Sequence, residues 1–101
     1  MKRIYISQPM ADKNELQIKM DRDGAEEFLS GLFADEIEIV NPIGDPPSGP
    51  RAALRSLAKG LELMSGADLV YFCSGWKKGV GCKIEHEAAT KYGLCVMYEP
   101  G

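Results

Sequence analysis

The chain has no strong charge of either sign and no cluster of one. Twelve Lys and Arg against fifteen Asp and Glu leave a formal charge of −3. The basic residues are scattered, so there is no electrostatic footprint for a nucleic-acid polymer or an anionic membrane surface. Histidine and tryptophan occur once each. A lone histidine excludes the paired imidazoles of a helical zinc motif, and nothing in the sequence forms a serine or cysteine triad around it. The three cysteines, Cys73, Cys82 and Cys95, are odd in number and have no C-x-x-C spacing. Set in apolar segments, they read as buried thiols in a reducing cytoplasm. No apolar run approaches the roughly 20 residues that span a bilayer, and Met1-Lys2-Arg3 leads into a strand pattern rather than a signal peptide. The expectation is a cytoplasmic protein with a small-molecule partner, no metal and no cofactor.

What is present suits one small α/β domain over residues 1–101. A 45% hydrophobic content over 101 residues buries a core with little margin, so a homodimer or higher homo-oligomer is expected. "RIYIS", residues 3–7, is β-branched and aromatic and stops at Gln8-Pro9. Apolar positions from Asp12 to Phe33 recur at helical spacing, with Asp12 as the expected N-cap and Gly24 a weak point inside. "EIEIVN", residues 36–41, alternates as a strand does. "PIGDPPSGP", residues 42–50, then holds four of the six prolines and reads as a lid or a stiff connector. Arg51 to Ser65 is helical through Leu54, Leu57, Ala58, Leu61 and Met64. "ADLVYFC" is a nearly continuous apolar run, as a strand covered on both faces would be, and "LCVMY", residues 94–98, supplies a last strand.

The order βαβαβαβ predicts a small doubly wound parallel sheet, strand order 2-1-3-4, with helices on both faces. Ligands in such folds bind beyond the carboxyl ends of the strands, where the winding reverses. That places a crevice between Ser7-Gln8-Pro9-Met10 and Ser74-Gly75-Trp76.

"GVGCKIEHEAATKYG", residues 79–93, forms the helix after strand three. At about 100° per residue, Cys82, Ile84, Ala88, Ala89 and Tyr92 share a face about 160° wide. Glu85 falls within that arc, Glu87 opposite it, and His86 near its border. Neighbours about 100° apart cannot chelate one metal ion. An inward carboxylate is costly unless it is hydrogen-bonded or faces a cavity. Glu85 is therefore either a nucleophile or base at the crevice mouth, or a structural group that caps amides of the Gly79-Val80-Gly81 loop or pairs with an arginine. Gly79 and Gly81 either admit a ligand or make a tight turn, without the G-x-G-x-x-G pattern of dinucleotide sites. Trp76 either stacks on a flat ligand or covers the sheet edge. His86 is a surface or ligand-facing residue.

With "YISQPM" ending strand one and "ADLVYFCSGWKKGVGCKIEHEAATKYG" spanning strand three and its helix, the chain resembles the nucleoside 2-deoxyribosyltransferase superfamily. Within it the likeness is to a branch of short bacterial and phage domains of unassigned function. The resemblance implies that Glu85, four residues after Gly81, attacks the anomeric carbon of a 2-deoxyribosyl group. It implies that Tyr5 orients Glu85, and that Ser7 and Gln8 lie near a nucleoside or nucleotide. Where the transferases carry an aspartate in the helix before strand three, this chain has Lys59-Gly60. Gln8 stands where the family commonly has glycine. The family's fifth strand and its C-terminal site residues have no counterpart before Gly101. A ligand-binding module without turnover is the alternative.

Overall fold

A computed structural model describes residues 1–44 and 48–100. Four parallel strands, β1 (Lys2–Ser7), β2 (Ile37–Ile39), β3 (Leu69–Phe72) and β4 (Val96–Tyr98), lie in the order β2-β1-β3-β4. Three helices connect them: α1 (Glu15–Leu32), α2 (Ala52–Met64) and α3 (Val80–Lys91), the last preceded by a 3-10 turn at Trp76–Lys78. This is the small doubly wound, Rossmann-like α/β fold expected from the order of the elements. Asp45, Pro46 and Pro47 of the proline-rich segment, read as a lid or a stiff connector, lie outside the described residues.

The two-residue period of a strand divides the core. Ile4 and Ile6 of β1 with Leu69 and Tyr71 of β3 turn to one face, where Ala25 and Leu29 of α1 cover them. Tyr5, Val70 and Phe72 turn to the other, under Met64 of α2 and Ala89 of α3. β1 and β3 are central, and from Ile4 to Ser7 and from Leu69 to Phe72 they are buried on both faces.

Several boundaries differ from the sequence reading. α1 is capped by Asn14, whose side chain accepts a hydrogen bond from the Gln17 amide at 2.8 Å, and Asp12 lies in the preceding turn with φ 62°. The helix runs unbroken through Gly24. In α2 the buried residues are Gly60 and Met64, while Leu54 and Ala58 are exposed. In α3 they are Cys82, Glu85 and Ala89. Ile84 and Tyr92, expected inside, are exposed because the helix is rotated towards His86, whose ring stacks on Trp76. Cys95 is exposed, against the expectation of three buried thiols, because it lies in the connection before β4 rather than in a strand.

β1 and β2 are extended past their backbone pairing. After the Val40 amide donates to the Ile4 carbonyl at 2.9 Å, the Asn41 side chain takes the next rung. Its Oδ1 accepts from the Ile6 amide at 2.9 Å, and its Nδ2 donates to the Ile6 carbonyl at 2.7 Å.

Candidate functional site

Alternation along β1 puts Tyr5 and Ser7 on the face covered by α2 and α3, and Glu85 descends onto them from the second turn of α3. The Tyr5 hydroxyl donates to Glu85 Oε2, and the Ser7 hydroxyl donates to Oε1 at 2.7 Å. All three residues are buried, with Glu85 keeping 7% of its surface. Neither structural partner expected for Glu85 is used. Among the described residues no amide of the 79–81 loop donates to it, and it forms no ion pair.

Burial sets the protonation behaviour of this trio. It raises the Glu85 pKa above the ordinary glutamate range, and the hydrogen bonds from Tyr5 and Ser7 pull it back only in part. Tyr5 is pushed up strongly, first by burial and then by the adjacent carboxylate, so its hydroxyl stays a donor. Two hydroxyls therefore position a carboxylate that has no cation beside it.

Gly60 makes this arrangement possible. A Cβ at that position of α2 would come within 2.8 Å of Glu85 Oε2 and would overlap the Tyr5 hydroxyl. The helix crosses the pair at a distance that only hydrogen allows. The sequence reading noted Gly60 only as standing where the transferases carry an aspartate; a glycine inside an amphipathic helix is the available signal for the close approach.

The other candidates fall into separate groups. Gln8 is tied to α1, its Nε2 donating to the Ile18 carbonyl at 2.7 Å and its Oε1 accepting from Arg22 Nε at 3.1 Å. Pro9 is buried and packs against Gly75 and Gly79, each about a side-chain contact away, while Met10 is exposed. Gly75 takes a left-handed conformation, φ 85°, which turns the chain from β3 into the 3-10 turn. The Ser74 amide donates to Glu99 Oε1 at 3.3 Å. Trp76 stacks on His86 with ring centroids 4.1 Å apart, and His86 Nε2 is 2.6 Å from the Tyr98 hydroxyl. With Phe72 these rings form one cluster over the ends of β3 and β4. The sheet-edge reading of Trp76 thus describes its contacts. Gly79 packs on Cys82 and Gly81 faces Leu57 of α2.

The sequence reading also missed Arg22 and Asn41. Arg22 lies on the same stripe of α1 as Ile18, Ala25 and Leu29, and a cation at that spacing was the visible sign. Among the described residues no group of three or more His, Cys, Asp or Glu is gathered to hold a metal ion. No helix among them is long and apolar enough to cross a membrane. A depression of about 500 Å³, lined by Gly24, Glu27, Phe28, Gly31 and Leu32, lies along α1. Its lining includes none of the Glu85 partners. No protein-family model, curated protein or solved structure matches the chain.

Proposed function

We propose that the protein acts on the N-glycosidic bond of a 2-deoxynucleoside or its nucleotide, with Glu85 as the nucleophile. The observation that carries this reading is a buried carboxylate held by the Tyr5 and Ser7 hydroxyls and by no cation. A carboxylate neutralised by arginine would be a poor nucleophile, and one bonded to loop amides would be a cap. Two neutral donors instead fix its direction while leaving further lone pairs on its oxygens.

The chemistry balances as a double displacement. A Glu85 oxygen bonds to C1′ as the C1′–N bond breaks. The electron pair leaves with the nucleobase, which takes its proton from water. Water or a second base then attacks C1′, giving up its proton to the hydroxide left by the first step, and the glutamate leaves as a carboxylate, so the anomeric configuration is retained overall. Tyr5 acts by orientation, because its raised pKa keeps the proton on its oxygen throughout. The resemblance to the deoxyribosyltransferases, through Tyr5, Gly81 and Glu85, supports the same assignment.

One feature favours a second reading, retention of ligand without turnover. Helix α2 meets the Tyr5–Glu85 pair with Gly60, and the neighbouring Lys59 is exposed, so neither position offers an acid to the leaving base. Base release from a panel of deoxynucleosides and deoxynucleotides, followed by chromatography, separates the two. Under the enzymatic reading Glu85→Gln lowers release by roughly a thousandfold or more, and Tyr5→Phe by up to about a hundredfold through lost orientation. No release by folded wild type, together with ligand-dependent thermal stabilisation, selects the binding module.

A further inference from the structure

Arg22 is a buried cation that the chemistry above does not use. It projects from the middle of α1 to where β1 and β2 finish, and only 3% of it is exposed. Two of its five N–H groups are engaged. Nε donates to Gln8 Oε1 at 3.1 Å, and Nη1 donates to the Asn41 carbonyl at 3.0 Å. Both acceptors are neutral. Among the described residues no carboxylate lies within ion-pairing distance of it. Burial lowers its pKa, and Glu26, one turn further along α1, acts against that through space without contact. A guanidinium stays charged in a protein.

Withdrawing a guanidinium from water without a counter-charge is costly. Fixing Gln8 and the Asn41 carbonyl needs only neutral donors. The remaining N–H groups explain the charge better. Nη2 has no partner among the described residues, yet no buried side-chain nitrogen or oxygen there is left unsatisfied. Nη2 is therefore not an orphaned donor sealed in the core. The free edge of the fork, one N–H on Nη1 and two on Nη2, has the shape that grips two oxygens of one phosphate. It also lies at the correct end of the sheet. Ser7 and Gln8 are consecutive, the first bonded to Glu85 and the second to Arg22.

We infer that Arg22 anchors a phosphate monoester, and that the preferred ligand of the Glu85 site is a deoxynucleoside 5′-monophosphate rather than the free deoxynucleoside. The nucleoside part of this ligand rests on the proposed role of Glu85; the phosphate rests on Arg22 alone.

Calorimetric titration at fixed ionic strength, in buffer without phosphate or sulfate, tests it with three probes: inorganic phosphate, a deoxynucleoside and its 5′-monophosphate. The monophosphate is expected to bind the wild type at least about tenfold more tightly than the deoxynucleoside, with inorganic phosphate competing. In Arg22→Gln and Arg22→Met, checked for folding by circular dichroism, the two ligands are expected to bind alike. Equal affinity in the wild type, or an undiminished preference in either folded variant, overturns the inference. If neither variant folds, the wild-type ranking and the phosphate competition decide it. A phosphate preference that depends on Arg22 in a protein releasing no base upholds this site and removes the glycosyl-transfer reading. Release from deoxynucleosides with no phosphate preference does the reverse.

Discussion

Glu85 holds its proton more tightly in the folded chain than in the unfolded one, because burial outweighs the hydrogen bonds from Tyr5 and Ser7. Between the ordinary glutamate pKa of about 4.3 and the raised folded value, the folded state binds more protons than the unfolded state. The stability this group contributes is full below the first value and is lost as pH rises through the second. Urea titrations of wild type and Glu85→Gln from about pH 4 to about pH 8 should therefore show the variant gaining on the wild type as pH rises. A constant difference would mean that Glu85 titrates as it does in the unfolded chain. Gly60 invites a separate measurement. Alanine favours a helix over glycine by about 1 kcal/mol, yet its methyl would press on Glu85 and Tyr5. Gly60→Ala is expected to destabilise by about 1–3 kcal/mol and to reduce ligand binding. An unchanged or higher melting temperature would show that α2 does not confine the pair.

The sequence made the elements readable where their periodicity was long and their faces were unambiguous. β3 is buried on both sides and reads as a nearly unbroken apolar run, β1 as a β-branched and aromatic one, and α1 and α2 repeat over several turns. Ends were harder, because Asp12 and Asn14 are both good caps and only the conformation of the chain chooses between them. The tilt of α3 was harder still. The wheel fixes which residues share a side, but the Trp76–His86 stack sets which side faces inward, and that contact lies outside helical spacing. Two glycines of α1 offer a test at this scale. A Cβ at Gly24 or Gly31 would meet nothing within 4 Å, and neither has positive φ. Gly24→Ala and Gly31→Ala should each stabilise the isolated chain by roughly 0.5–1 kcal/mol, measured by chemical denaturation. A loss instead would mean that something packs closely against this face in solution.

For the molecule as a whole, the apolar surface is larger than the core accounts for. Leu54 of α2, and Val80 and Ile84 of α3, are exposed on helices that pack together at Leu57 and Gly81. Sedimentation velocity is expected to show a dimer or larger species at micromolar concentration, and Leu54→Asp with Ile84→Asp to return it to the monomer. A monomer at every concentration removes this expectation. The candidate site divides along the same line between near and far. Glu85 was visible because a carboxylate on an apolar face is anomalous within its own helix. The parts played by Gly60, Arg22 and Asn41 were not, since each depends on a partner in another element, from 14 to 35 positions away for the bonds of Arg22 and Asn41. Asn41 works as a splice. Its carboxamide stands in for a peptide group beside Ile6, so the sheet gains a rung while the main chain is already turning away into Pro42. Changes in the length or composition of the segment beyond would then be absorbed by the torsions of one side chain, and the two central strands would be insulated from them.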